Sequence, residues 1–483
     1  MEERMYKSYE YYADVCIVGG GMAGCSAAVT SARQGLKTIL VEKGCTLGGL
    51  ATNGYVPQIA GGVEGFCYEF VKRLDREGSV RRLGSEDGPY YVLPTFDPEM
   101  AKIILEEMVL EAGVKILYNT TFVAAEKTGG TIENAVFVFE GEPVIVRAHI
   151  YVDATGTGDL AYSCGVPYDM GSPEYGGYNM STSQGIRFAG ADLVKYGAAQ
   201  AEYAKQSKTP LVYAIEEEAI KAGRLSRHIA NRGNGFICIP LPGTAMDDAE
   251  FVTFSFHSYG CVNDDPENVT AQITQQHADM KAFAQFLKKE VPGFEHVRIT
   301  GLGGLPGFRE GRRFECGYRL TDEDFASGRK FADGIARYPE IAATHHPTDH
   351  DAFFIRQVPV SRIEGSAINA AELKEGKAYE LGKRFLAEKD PRDWCDLPYR
   401  SMVPLGTDNL LNAGRCLSAE FHASSALRVI GPATETGMAA AIAAKMSIDS
   451  NIKPCDVDGA LVKAKMKDLG VDLSKQAPGY KTL

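Results

Sequence analysis

The sequence feature that most constrains the fold is a glycine-rich turn directly after an apolar run, in DVCIVGGGMAGCSAAV (residues 14–29). The run Val15–Val18 is typical of a strand that is covered on both faces of a parallel sheet. Alanines follow the turn at positions that would let a helix pack close to that sheet. Gly35 ends the predicted helix, and LKTILVEK (residues 36–43) predicts a second strand. The stretch therefore predicts a strand–turn–helix–strand unit.

The glycines of this turn have the spacing Gly-x-Gly-x-x-Gly, at Gly19, Gly21 and Gly24. The first glycine makes a tight turn, the second lets the backbone approach a pyrophosphate, and the third lets helix and strand pack. Glu42 ends the second strand, where a carboxylate accepts ribose hydroxyls and disfavours a 2′-phosphate. The pattern predicts a dinucleotide site that includes Glu42 and the adjacent Lys43. At this point NAD and FAD both remain possible.

Composition limits the other function classes. A net charge of −12 disfavours a nucleic-acid partner, because such proteins neutralise phosphates with basic patches. The 11 cysteines form no Cys-x-x-Cys pair, which argues against local zinc or cluster sites and fits a reducing cytoplasm. The first 13 residues are polar, with no secretory apolar region, and no apolar run is long enough for a bilayer. We expect a cytoplasmic protein without a membrane span, a nucleic-acid partner or a metal.

Five further segments carry a family resemblance: GGLATNGYV (48–56), FDPEMAKIILEEM (96–108), VDATGTGDLA (152–161), GFREGRRFECGYRLTDEDFASGRKFADGIA (307–336) and PYRSMVPLGTDNLLNAGRCLSAEFHASSALRV (398–429). With them the chain resembles the FAD-dependent oxidoreductases of the glutathione-reductase-like, two-dinucleotide-binding superfamily. It is most similar to a large bacterial group distantly similar to fumarate reductase flavoproteins. The resemblance covers most of the chain and implies FAD as the cofactor.

The resemblance and the spacing of these segments predict an α/β protein with a discontinuous Rossmann-like FAD-binding domain and an inserted α+β substrate domain. We expect the FAD domain at 1–165 and 400–483, and the inserted domain at 166–399. The inserted region contains strand-like GFICIPL (235–241) and FVTFSFHSYG (251–260), and helix-like TAQITQQHADMKAFAQFLKKE (270–290). Residues 96–120 predict a helix followed by a strand, with apolar core positions at Met100, Ile103, Ile104 and Met108.

The resemblance also implies the FAD contacts. Besides the turn glycines, Glu42 and Lys43, they are Gly48, Gly49, Thr52, Val123, Ala154, Gly156, Asp159, Gly414, Arg415, Arg428 and Gly437. Val123 would meet the adenine through its backbone. A helix that begins near Thr436 and Gly437 would aim its positive end at the flavin N1–C2=O edge and stabilise the anionic reduced flavin.

Arginines and histidines are the catalytic candidates. A guanidinium in GFREGRRF (Arg309, Arg312 or Arg313) could bind a substrate carboxylate or polarise a carbonyl. The alternative is structural ion pairing with neighbouring glutamates. Histidine serves as a general acid or base near neutral pH, which makes His345 and His346 candidates. Metal binding by these histidines with Asp349 and His350 is the alternative there. We predict that Arg309, His345 and His346 are catalytic.

The expected reaction is hydride transfer between flavin N5 and a carbon of a small organic substrate, with an external electron donor or acceptor. Dehydrogenation of a C–C or C–O bond and reduction of an activated double bond both fit. Two alternatives stay open. One is an FAD-dependent RNA-modifying protein, and the other is a flavin electron-transfer subunit of a larger complex.

Overall fold

The structure is a computed structural model, and it describes residues 8–82, 94–207, 209–226, 229, 238–326, 328–338, 342–349, 354–357, 367–368 and 394–474. The strands are β1 (Tyr9–Val18), β2 (Thr38–Val41), β3 (Val80–Arg82), β4 (Pro94–Phe96), β5 (Lys115–Leu117), β6 (Thr121–Thr128), β7 (Thr131–Phe139), β8 (Glu142–Asp153), β9 (Tyr168–Asp169), β10 (Thr182–Ala191), β11 (Ile239–Pro240), β12 (Ala249–Ser258), β13 (Arg298–Leu302), β14 (Arg313–Phe314), β15 (Gly334–Tyr338), β16 (Ala342–His345), β17 (Phe354–Gln357), β18 (Ala367–Ile368), β19 (Cys395–Pro398) and β20 (Leu410–Asn412).

The helices are α1 (Met22–Arg33), α2 (Gly65–Arg76), α3 (Pro98–Glu111), α4 (Asp159–Ser163), α5 (Leu193–Tyr203), α6 (Leu211–Lys221), α7 (Pro266–Glu290), α8 (Asp322–Ala326), α9 (Ile430–Ser450) and α10 (Gly459–Asp468). None of the helices in the described segments is both long and apolar enough to cross a membrane. All the cysteines lie in described segments and have free thiols.

A parallel sheet with the order β5-β2-β1-β8-β20 forms the centre of the fold, and the β6–β7 hairpin pairs beside the first half of β8. One row of paired residues crosses its carboxyl end: Leu117, Val41, Val18, Asp153 and Asn412. Open α/β sheets bind ligands in the crevice at this end. The predicted α/β class and the discontinuous Rossmann-like sheet are confirmed, since β20 joins strands that lie more than 250 residues earlier in the chain.

Helices α1 and α9 pack against each other at unusually short range because small residues line their contact. A Cβ added at Gly437 would lie 2.1 Å from the carbonyl oxygen of Ala23, so only glycine fits there. The hydroxyl of Ser26 donates to the Thr434 carbonyl at 2.7 Å, which fixes the register of the two helices. This contact joins the N-terminal fingerprint to the C-terminal part of the sequence.

A second, antiparallel sheet has the order β11-β12-β10-β13. Its apolar face, with Phe188 stacked on Phe251, packs against α7, whose N-terminus Asp265 caps. The predicted strand at 251–260 and the predicted helix at 270–290 are therefore confirmed. Of the predicted strand GFICIPL, only the part from residue 238 onward is described, and Ile239–Pro240 is a strand. The domain boundaries near residues 165 and 399 stay predictions.

Helix α3 and strand β5 confirm the predicted helix–strand pair at 96–120. The Asp97 carboxylate caps the helix by accepting from the N–H groups of its first turn. One of the predicted core positions is wrong, because the side chain of Ile103 is 53% exposed. The buried stripe instead follows the spacing i, i+3, i+4, i+7, through Ala101, Ile104, Leu105 and Met108.

Candidate active site

The turn after β1 has the shape that a dinucleotide requires. Gly19 has a φ of +102°, and a Cβ there would lie 2.8 Å from the Ala154 carbonyl oxygen. A Cβ at Gly24 would lie 1.9 Å from the Gly19 carbonyl oxygen. At Gly21, by contrast, an added Cβ would meet no atom within 4 Å. The turn is therefore closed on its sheet side and open at the N-terminus of α1, where backbone N–H groups bind phosphate.

Glu42 lies beside this turn and connects two loops. One carboxylate oxygen accepts from the Gly20 N–H at 2.7 Å, and the other accepts from the Gly44 N–H at 2.8 Å. Each carboxylate oxygen can accept a further hydrogen bond, so the group still fits a ribose hydroxyl. Lys43 is exposed next to it. The sequence predicted the ribose contact, but it contained no signal for the bridge between the loops.

The loop after β2 folds back onto the glycine turn. Gly48 has a φ of +99°, and its N–H donates to the Gly20 carbonyl at 2.8 Å. A Cβ at Gly49 would lie 3.1 Å from the Cα of Gly21. Thr52 is fully buried and donates its hydroxyl to the Leu47 carbonyl at 2.6 Å. The predicted FAD residues Gly48, Gly49 and Thr52 therefore lie in one loop that folds onto the glycine turn.

The loop after β8 is held by a buried carboxylate. Asp153 accepts from the N–H of Thr155 at 3.0 Å and from that of Ala161 at 2.9 Å, and burial raises its pKa to about 6. The Ala154 N–H donates to Val18 at 2.9 Å, which attaches this loop to the glycine turn. Sequence reasoning did not single out Asp153 as functional. The available signal was an aspartate at the end of a strand and directly before a glycine-rich loop.

The loop after β20 brings a cation to the same region. The Gly414 N–H donates to the Thr436 hydroxyl at 2.9 Å. Arg415 donates to the carbonyl of Gly156 at 2.8 Å and to that of Phe308 at 2.6 Å. Burial lowers the pKa of Arg415 to about 10, so the guanidinium is still charged at neutral pH. Arg415 thus connects the loop after β8, which contains Gly156, to Phe308, the residue before Arg309.

The predicted start of the C-terminal helix, near Thr436 and Gly437, is wrong, because α9 begins at Ile430. Pro432 does not stop the helix, since a first-turn residue needs no N–H partner within the helix. Gly437 lies inside α9 against α1, and its flavin contact stays a prediction. Arg428 precedes the helix, and burial lowers the pKa of its guanidinium.

Two other predicted cofactor residues lie at the edges of this region. Val123 is in β6 and is 59% exposed, and it lies at a register shift of the β6–β7 pairing, between the paired residues Phe122 and Ala124. Asp159 begins the short helix α4 and accepts from the Thr157 hydroxyl at 2.8 Å. The predicted contacts of both residues with FAD stay predictions.

The three candidate arginines have different surroundings. Arg309 is buried, and its two terminal nitrogens donate to the Ser181 carbonyl and the Ser183 hydroxyl. Arg313 forms a buried ion pair with Glu310 at 3.4 Å, which is the structural alternative that the sequence left open. Arg312 pairs with a carboxylate of the α4 turn at 3.3 Å. No carboxylate in the described part of the chain lies within 4 Å of the Arg309 guanidinium.

The two candidate histidines also differ. The His345 ring is buried and stacks on His257, with centroids 5.5 Å apart. Burial lowers the pKa of His345 well below its ordinary value of 6.5, and the charges of Arg309 and Arg428 lower it further. His346 packs instead against Tyr175, outside this group.

The Nδ1 atom of His346 accepts from the N–H groups of Thr348 and Asp349 at 3.2 and 2.9 Å. This arrangement gives the ring a local turn-stabilising role. His350 lies outside the described residues. Within the segments that the structure covers, no three His, Cys, Asp or Glu side chains are arranged to hold a metal ion.

A glycine turn after β1, a carboxylate after β2 and two loops after β8 and β20 meet at the carboxyl end of one parallel sheet, and this arrangement defines a dinucleotide-binding α/β protein. The open face at Gly21 and the cation Arg415 fit the pyrophosphate of FAD. The chain belongs to the FAD dependent oxidoreductase family, whose model matches residues 14–466. This match confirms the predicted family, the cofactor FAD and the oxidoreductase class.

Two curated relatives match only part of the chain. A thiamine thiazole synthase of Saccharolobus islandicus is 29% identical over 175 residues, which are 32% of this chain and 60% of that protein. A mitochondrial dihydrolipoyl dehydrogenase of Schizosaccharomyces pombe is 29% identical over 30% of this chain and 28% of its own length. The chain therefore spans less than two thirds of the length of these curated relatives.

Among solved structures, a geranylgeranyl bacteriochlorophyll reductase-like protein from Thermoplasma acidophilum aligns with 95% of this chain and 84% of its own, at 14% identity and a TM-score of 0.43. This similarity is too low to carry an argument about function.

Proposed function

We propose that the protein transfers a hydride to or from a carbon of a small organic substrate, with Arg309 orienting the substrate and His345 moving the proton. Bound FAD would supply the hydride acceptor or donor at its N5 atom. The observation that carries the proposal is the position of Arg309. It is a buried cation whose charge acts on the buried His345. The residue before it, Phe308, contacts an FAD loop, because its carbonyl accepts from Arg415.

A second set of contacts supports the same position. The Gly304 N–H donates to the Asn53 carbonyl at 2.7 Å, and the Gly303 N–H donates to Gly185 of β10 at 2.8 Å. These bonds attach the antiparallel sheet to the loop that contains Thr52. Because β10 also begins beside the Arg309 anchors, the sheet can hold a substrate next to the cofactor loops.

His345 is suited to accept a proton. A histidine that stays neutral at physiological pH keeps one ring nitrogen unprotonated, and a dehydrogenation needs such a base when a hydroxyl or C–H proton leaves. The lowered pKa of His345 keeps its ring in this neutral form. Arg309, whose charge acts on His345, is a cation at neutral pH and can hold an oxygen of the substrate in place.

The first experiment is anaerobic. The purified FAD-loaded protein is mixed with small acids, alcohols and enones, and absorbance follows the bleaching or recovery of the flavin. Once a substrate is found, steady-state kinetics compare Arg309→Ala, His345→Ala and His346→Ala with the wild type. We expect kcat to fall about 100-fold or more for His345→Ala and to stay within about two-fold for His346→Ala.

Unchanged turnover in both Arg309→Ala and His345→Ala would contradict the assignment of these residues. A flavin that is reduced by dithionite but by no organic substrate, in a protein that co-purifies with a redox partner, would favour the electron-transfer subunit instead.

A further inference from the structure

Arg309 is a buried cation, and its contacts among the described residues are all to neutral groups. Two other buried arginines have carboxylate partners, since Arg313 pairs with Glu310 and Arg337 pairs with Glu64. Arg415, at the FAD loops, resembles Arg309 in donating to carbonyls only, to those of Gly156 and Phe308. Arg309 has only a carbonyl and a hydroxyl as hydrogen-bond acceptors among the described residues. A charge removed from water without a counter-charge is unfavourable. An anion that binds there would remove this cost.

The contacts of Arg309 orient it but do not saturate it. A guanidinium has five N–H groups, and two of them are used for Ser181 and Ser183. Ser183 is in β10 and Ser181 lies directly before it, so a sheet fixes the direction of the fork. The hydroxyl of Ser181 is itself enclosed and has no hydrogen-bond partner among the described residues. The site therefore offers unused donors from two buried side chains.

Among the described residues, the charges that act on Arg309 come from the cation Arg428 and from Tyr259 and Cys261, which are neutral while they are protonated. Burial, together with the positive charge of Arg428, lowers the pKa of Arg309 to about 9. Arg428 also lies directly before α9, whose N-terminus has a partial positive charge. His345 and its stacked neighbour His257 complete the group. An anionic ligand is favoured by each of these charges, whereas a neutral ligand gains from none of them.

We infer that the substrate is a small organic acid whose carboxylate binds to Arg309, with Arg428 supplying a second positive charge and His345 facing the reacting carbon. This inference rests on the proposed hydride transfer and narrows it to one substrate class. A carboxylate fits better than a carbonyl, because two oxygens can accept from the planar fork at once. A carboxylate also fits better than a phosphate ester, because its two oxygens need fewer hydrogen-bond donors than the three terminal oxygens of a phosphate do.

The test uses the FAD-loaded full chain and simple probes. Acetate and malonate are titrated at constant ionic strength while the absorbance of the oxidised flavin and the melting temperature are recorded. Acetamide and malonamide serve as neutral probes of the same shape, and methyl phosphate serves as the competing anion. We expect the carboxylates to shift both signals and the amides to shift neither.

Variants then locate the binding. We expect Arg309→Gln to weaken malonate binding about 100-fold and Arg309→Lys, which keeps the charge, to weaken it about 10-fold. Arg319→Gln is the matched control, since Arg319 forms a half-exposed ion pair with Asp169 and belongs to no proposed site. It should bind malonate as the wild type does. The lysine variant keeps the test valid if the glutamine variant fails to fold.

Three results would overturn the inference: equal binding of amides and carboxylates, a preference for methyl phosphate, or wild-type malonate binding by a folded Arg309→Gln variant. The hydride-transfer proposal fails separately. Carboxylates that bind through Arg309 but never reduce or reoxidise the flavin would support the acid site and contradict the proposed reaction.

Discussion

The glycine turn after β1 and the group around Arg309 are built from different material. The turn consists of main chain, and its critical contact joins Gly24 to Gly19, five positions apart in the chain. The Arg309 group consists of side chains, and its anchor joins residues that are 128 positions apart. A main-chain site fails when an atom is added to it, whereas a side-chain site fails when its charge changes. The following predictions test this difference, from the largest expected effect to the smallest.

Gly24→Ala should have the largest effect. The new Cβ would lie 1.9 Å from the Gly19 carbonyl oxygen, so the backbone of the turn must move. We expect loss of bound FAD and destabilisation by about 2–4 kcal/mol, measured from flavin absorbance per protein and from urea unfolding. The control is Gly197→Ala in α5, where a Cβ would meet no atom within 4 Å. A Gly24→Ala protein with full FAD content would contradict the account of the turn.

Glu42→Gln should weaken FAD binding about 10- to 100-fold, because a charge-assisted acceptor is replaced by a neutral one. Its two backbone contacts, to the N–H groups of Gly20 and Gly44, cannot both be accepted by one amide oxygen. Fluorescence titration of the apoprotein with FAD measures the effect. Lys43→Gln, at the exposed neighbouring position, tests whether Lys43 contributes as predicted. Equal affinities of wild type and Glu42→Gln would exclude the ribose contact.

Lowering the pH should affect the side-chain site. The folded state holds His345 neutral, because burial lowers its pKa, whereas the unfolded chain takes up a proton below about 6.5. The unfolded state then binds more protons, so the contribution of His345 to stability falls as the pH falls, by about 1 kcal/mol per unit. We expect His345→Gln to lose less stability than the wild type between pH 7 and 5, in unfolding experiments.

His296→Gln, at an exposed position, is the control for that experiment and should follow the wild-type pH dependence. Parallel curves for the wild type and His345→Gln would show that the folded protein accommodates a charged His345.

Val123→Ala should have the smallest effect. The side chain is 59% exposed and the predicted contact with adenine is made by the backbone, so FAD affinity should stay within about two-fold. Val123→Pro, which removes the N–H, is the informative partner and should weaken FAD binding more than the alanine variant does. A large loss in Val123→Ala would mean that the side chain itself contacts the cofactor.

Local patterns were sufficient for the parallel sheet, the glycine turn and the position of Glu42, whereas the family resemblance supplied FAD. They were insufficient where tertiary packing decides the start of a helix or the burial of a residue. The family resemblance placed the start of the C-terminal helix near Thr436 and Gly437, whereas α9 begins six residues or more earlier, at Ile430. Ile103 looked like a core residue, yet it lies on the exposed side of α3.

Residue types and spacing determined that this chain builds a dinucleotide site, since a strand, a tight turn and a helix are encoded within a few consecutive residues. Only the tertiary structure decided which side chains meet around Arg309. Arg309 and Arg313 are four positions apart and look equivalent in the sequence. However, Arg313 pairs with a glutamate, whereas Arg309 donates to a serine of β10. His345 and His346 are adjacent in the sequence, but His345 stacks on His257 whereas His346 packs against Tyr175. The physical reason is that the properties of a buried charged side chain depend on the groups that surround it, and those groups come from segments that are distant in the sequence.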